Sequence, residues 1–151
     1  MNNKLFDRTR MYALILAILQ LVSSFVYLLA LSFTLAITVP SIRETINWAD
    51  LGVAIEQIPV SNYAALFTVS LLFIFSIILC FLLFRMSGNL KRKNYSSRLP
   101  LLGVIAMQIF LFIDSLLGGA IDISGLILNA TLILLAFVTS KKLLKIKSIN
   151  Q

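Results

Sequence analysis

Residues 11–39 read MYALILAILQLVSSFVYLLALSFTLAITV, twenty-nine positions without a charged side chain. A helix of that length rises about 43 Å at 1.5 Å per residue. The hydrocarbon core of a bilayer is roughly 30 Å thick, so such a helix must tilt or project beyond it. Three further uncharged or nearly uncharged runs follow at 64–84, 100–117 and 123–140, the third span carrying Asp114 near its end. In lipid, backbone N–H and C=O groups must be satisfied within the segment unless a closed barrel forms. These runs lack the alternation of barrel strands. The expected fold is therefore all-α: an integral membrane four-helix bundle forming a single transmembrane domain over 1–151.

Composition agrees with that reading. The chain has 151 residues, 60% hydrophobic and 13% charged, with a mean hydropathy of +0.99. Soluble domains average about 25% charged residues, so a soluble fold of this size would leave more apolar surface than its charges could cover. With no His and a single Cys, the sequence offers no disulfide framework, no CxxC pair and no Cys/His metal site. No cofactor or metal is expected.

The net charge of +7 is distributed by topology. Lys4, Arg8 and Arg10 precede the first span. Arg85, Lys91, Arg92, Lys93 and Arg98 fall between the second and third, and Lys141, Lys142, Lys145 and Lys147 follow the fourth. The segment 40–63 carries only Arg43, against Glu44, Asp50 and Glu56. Twelve of thirteen cations thus occupy alternate segments, and the positive-inside rule places those segments and both termini in the cytoplasm of a cell membrane. Binding of nucleic acid would not require this alternation, and no nucleic-acid partner is expected. The basic patches can also meet anionic lipid head groups. A signal-peptide reading of the N-terminal region meets the difficulty that an h-region is about 7–15 residues, half the length of this run.

The first external segment is expected to hold a short amphipathic helix. Pro40 helps to end the first span, Ser41 and Glu44 have the spacing of a capping box, and Ile42, Ile46, Ala49 and Val53 share one helical face. Trp48 and Tyr63 suit a membrane interface, where the polar tip of the ring stays wet. In the cytoplasmic 85–99 segment, Gly88-Asn89 has turn composition. The short connection at Gly118-Gly119 makes the third and fourth spans antiparallel neighbours, with Asp122 placed to cap the fourth.

Candidate chemistry is sparse. Asp114 and Asp122 form a low-ranking carboxylate pair, since two adjacent carboxylates sharing a proton can do acid–base work. Four spans and Gly118-Gly119-Ala120 resemble bacterial lipoprotein signal peptidases, but the asparagine- and arginine-containing motif and the second aspartate motif of that family are missing. The span count also resembles small multidrug exporters, which need a carboxylate embedded in the first helix; residues 11–39 have none. Buried charges usually mark ion pathways. Depth arithmetic instead singles out three amides. Gln20 and Gln108 lie ten residues from Arg10 and Arg98, and Asn129 twelve from Lys141, which is about 15, 15 and 18 Å into the core. They are expected to face the bundle interior, with at least two in contact.

Two packing faces complete the reading. Ala13, Ala17, Gln20, Ser24, Tyr27, Leu31, Thr34 and Thr38 form a small and polar seam on the first span, and Gly125, Asn129, Leu132 and Ala136 a similar one on the fourth. Such seams let helices approach closely; they serve the bundle itself, a protein partner or a homo-oligomer. Cys80 reads as a small core residue. The order of basic N-terminus, long acidic outer segment, basic middle loop, tight outer turn and Lys-rich tail resembles small four-span membrane proteins of uncharacterised function from Gram-positive bacteria. The expected role is non-enzymatic, through protein contacts as accessory subunit, regulator or immunity protein. The alternatives are a small-molecule transporter or channel subunit using the amide layer, and an intramembrane aspartyl enzyme.

Overall fold

The computed structural model describes residues 2–51, 63–117 and 123–149. It is all-α, with four main helices: α1 (Asn2–Thr38), α3 (Tyr63–Lys91), α4 (Leu99–Leu117) and α5 (Ile123–Ile149). A six-residue α2 (Pro40–Thr45) and a 3-10 turn (Trp48–Leu51) follow α1. Helices α1, α3 and α5 are long and apolar enough to cross a membrane, and the apolar part of α4 is shorter. At 37, 29 and 27 residues, the three long helices rise about 55, 43 and 40 Å. Each exceeds its apolar run because the flanking basic segment is also helical. Lys4, Arg8 and Arg10 lie on α1, Arg85 and Lys91 on α3, and all four tail lysines on α5.

The exposed faces are the apolar ones. Phe67 and Phe81 are 65% and 67% exposed, and Phe25, Phe33, Ile74, Phe110 and Leu134 are also exposed. Water would penalise each such side chain by a few kcal/mol; lipid hydrocarbon does not. The chain is a multi-pass helical membrane protein.

Two compact units are present, Met1–Gln20 with Ile78–Gln151, and Leu21–Ile77. In the first, all four main helices meet. Helices α4 and α5 pack together, as the short connection between them requires. Helix α1 reaches α3 through Cys80, α4 through Met107 and α5 through Tyr12. Leu16, Leu83, Leu101, Val104, Leu132, Leu143 and Ile146 are fully buried in this unit. In the second unit, α1 and α3 are joined by Ser24 and Ser76, whose hydroxyls share a hydrogen bond of 2.7 Å.

Three local expectations need correction. The short helix begins at Pro40, with Val39 as its N-cap and no side-chain cap, so Ser41 and Glu44 do not form a capping box. Proline is favoured at the first helical position, where its missing N–H costs nothing. The helix therefore starts two residues too early for Ser41 to cap it. The helix also stops at Thr45, because Ile46 is extended with ψ 126°; the periodic face does not continue, and Val53 lies outside the described residues. Trp48 is not a wet interfacial ring. It is 2% exposed, and its indole N–H donates to the Arg43 carbonyl at 2.8 Å, satisfying one of the carbonyls left open at the end of α2.

Gly88-Asn89 is not a turn. Both residues lie within α3, and the chain turns at Lys93, whose φ is +59°. Lys93 N–H donates to the Leu90 carbonyl at 3.1 Å and Asn94 N–H to the Asn89 carbonyl at 3.0 Å. This crossed pair is a Schellman motif, in which the residue after the cap is left-handed and is usually glycine. A lysine there carries a steric cost of about 1–2 kcal/mol. A Cβ on Gly88 would meet nothing within 4 Å. Lys93→Gly and Gly88→Ala are each expected to stabilise the protein by about 0.5–1 kcal/mol, the first by relieving strain and the second through helix propensity. Thermal unfolding in detergent checks this; destabilisation by Gly88→Ala would restore the turn reading.

Candidate functional site

The buried face of α1 follows the seam read from the sequence. Ala13, Ala17 and Gln20 are fully buried, Ser24 and Thr38 nearly so, while Tyr27, Leu31 and Thr34 are half-buried. Phe6 and Thr9 extend the same stripe toward the N-terminal end. On α5, Leu132 and Ala136 are buried, Gly125 and Asn129 half-buried, and Thr139, Leu143 and Ile146 continue the face. Small side chains allow close approach, and the Cys80 thiol accordingly reaches the Ala17 backbone carbonyl at 3.6 Å.

Two of the three amides face the interior. Gln20 and Gln108 are 0% and 1% exposed. Gln20 Nε2 donates to the Met107 thioether sulfur at 3.7 Å, which joins α1 to α4. Gln108 Oε1 is fully buried and has no hydrogen-bond partner among the described residues. Asn129 is half-buried on α5. Asp114 is exposed in the last turn of α4, and Asp122, with Gly118-Gly119-Ala120, lies outside the described residues. Among the described residues no three His, Cys, Asp or Glu side chains come together as a metal site.

Sequence reasoning missed the Ser24–Ser76 pair and the Met107 acceptor. Ser76 had a signal. Counted from Arg85 it lies about 14 Å deep, but from Lys91, where α3 ends, about 22 Å, close to the 21 Å of Ser24 from Arg10. The hydroxyls elsewhere in the spans are mostly bonded within their own helices. Thr34, Thr68, Ser70, Thr131 and Thr139 each donate to the carbonyl four residues earlier, which removes an unsatisfied donor from hydrocarbon. An open apolar groove of about 510 Å³ lies along α1 and α3 in the second unit, lined by Leu21, Ser24, Phe25, Leu28, Phe73 and Ile77 among others.

No family model, curated protein or solved structure matches this chain. Chemistry must therefore be read from the side chains alone. What they offer at depth is one bonded serine pair, two buried amides, a thioether and a thiol. These groups join helices and polarise their surroundings.

If Gln108 has no ligand, its buried oxygen is a net liability of about 1–3 kcal/mol. Gln108→Leu is then expected to stabilise the protein in detergent by about 1–2 kcal/mol. Comparison of its melting temperature with that of the unsubstituted chain checks this; a loss of stability in Gln108→Leu would mean that its oxygen is satisfied.

Proposed function

We propose that the protein acts without catalysis, through protein contacts in the membrane, as an accessory subunit, a regulator or an immunity protein. In this reading both termini and Arg85–Leu99 face the cytoplasm, as the positive-inside rule gives for the alternation of cations. The observation that carries it is the use of the deep polar groups. Ser24 bonds Ser76 and Gln20 bonds Met107, so these side chains are spent on holding helices together, and what remains for function is surface. The test is to purify the tagged chain in mild detergent from its native membrane and identify what accompanies it. A stoichiometric protein partner supports the proposal. A bound small molecule with no accompanying protein overturns it.

The second reading, a small-molecule transporter or channel subunit, is favoured by one feature: the buried, unpartnered Gln108 oxygen. A polar ligand donating to it would satisfy that oxygen, and Gln108→Leu would then abolish co-purification of the molecule. Of the carboxylate pair that the aspartyl-enzyme reading needs, Asp114 is exposed among the described residues, and Asp122 lies outside them.

A further inference from the structure

Twelve of the thirteen cations belong to the first compact unit, and the packing of α1 against α5 gathers some of them that are far apart in sequence. The Lys142 ammonium on α5 lies 4.0 Å from the centroid of the Tyr12 ring on α1. Tyr12 is the second residue of the uncharged run that opens the first span, so this ammonium is held at the edge of the hydrocarbon. Arg8 lies one turn before Tyr12 on α1, and Lys145 lies one turn beyond Lys142 on α5. Arg8 lies toward the N-terminal end of α1 and Lys145 toward the C-terminal end of α5, the two ends that the alternation of cations puts on one side of the membrane. Arg8 and Lys145 are exposed, and Lys142 is half-buried.

Counter-charge is scarce. The described carboxylates of this unit are Asp7 and Asp114. Asp7 is next to Arg8 in sequence but projects about 100° around the helix from it, and Asp114 is at the far end of the α4 span. Three cations at the edge of the hydrocarbon, one of them fixed over an aromatic ring, call for an anion that is itself anchored at that depth. Basic pockets between transmembrane helices bind phosphorylated lipid head groups on this principle. We infer that the α1–α5 seam formed by Arg8, Tyr12, Lys142 and Lys145 holds the head-group phosphate of an anionic phospholipid in the adjoining leaflet. The ring positions the ammonium, Arg8 supplies a planar fork matched to phosphate oxygens, and the acyl chains lie along the exposed apolar faces of the helices. This goes beyond the proposed contact function and depends only on the helix packing in this unit and on membrane insertion.

The test measures melting temperature of the purified full chain in detergent, with phosphatidylglycerol added, with phosphatidylcholine of the same acyl chains, or with inorganic phosphate. Phosphatidylglycerol is expected to raise the melting temperature, and the other two to leave it within error of the lipid-free value. The double variant Arg8→Gln/Lys142→Gln should lose most of that increment. Arg8→Lys/Lys142→Arg should keep it, as should the control Lys91→Gln/Arg92→Gln, which removes the same charge from the end of α3. Equal losses in the two glutamine double variants would replace the site by diffuse attraction and overturn the proposal. So would an equal increment from phosphatidylcholine, or its reproduction by inorganic phosphate. If Arg8→Gln/Lys142→Gln does not fold, retention of the increment by Tyr12→Leu and Lys145→Gln would also overturn it.

Discussion

Trp48→Ala is expected to destabilise the protein by about 3–5 kcal/mol, the range for removing a buried tryptophan. The ring is 2% exposed, and its N–H is bonded to the Arg43 carbonyl. Trp48→Phe separates the two contributions, since it keeps most of the ring and leaves that carbonyl without its donor, at a cost of about 1 kcal/mol. Denaturant unfolding in detergent micelles reads both. A change of a few tenths of a kcal/mol for Trp48→Ala would return the residue to a wet interface. The sequence indicated the opposite environment because tryptophan near a membrane end has a strong interfacial prior. What overrides it is local. The chain breaks at Ile46 after a helix of six residues, and the indole closes that break from the far side.

Ala17→Leu is expected to be the most damaging single change in the α1 seam. Ala17 has no exposed surface, and Cys80 lies close enough for its thiol to reach the Ala17 carbonyl. A leucine at this point has no room without separating α1 from α3, and overpacking of this kind costs about 1–3 kcal/mol, occasionally more. Ile18→Leu, one residue along on a side chain that is 48% exposed, should be neutral within about 0.5 kcal/mol. Comparison of the two melting curves in the same detergent checks the difference. Equal effects would mean that position 17 faces lipid.

The α1 seam was legible because small and hydroxyl side chains recur at spacings of four and three on a background of Leu, Ile and Phe. Period and chemistry pointed the same way. The burial of Gln20 and Gln108 was legible because an amide in an apolar run is costly to leave facing hydrocarbon. Their contacts were not. A hydrogen bond depends on the rotation of both helices and on the chemistry of the neighbour, and Met107, the acceptor for Gln20, reads as an ordinary apolar residue. The same limit hid Ser76. Arg85 looked like the end of the second span, whereas α3 continues to Lys91, with Arg85 on its exposed face. A charge at the end of an apolar run does not mark the end of a helix.

Helix ends were the least legible feature. Gly88-Asn89 has turn composition, but Gly88 is tolerated within a helix at a cost of about 1 kcal/mol. The chain instead turns at Lys93, which has no turn propensity of its own and takes a positive φ through the crossed hydrogen bonds of the cap. At α2, proline at the first position took precedence over the serine that follows it. In both places a neighbour's backbone geometry decided the boundary, and single-residue preferences did not.

In the proposed topology the chain crosses the membrane four times with its cation-rich segments inside. Asp50 and Asn94 are both exposed and flank the second span in sequence, and Cys80 is the only cysteine of the sequence. In a Cys80→Ser background, Asp50→Cys and Asn94→Cys should be treated separately in intact cells with a membrane-impermeant maleimide. The account predicts labelling at position 50 from outside, and at position 94 only after the membrane is permeabilised. Labelling of position 94 in intact cells, or protection of position 50, would contradict it.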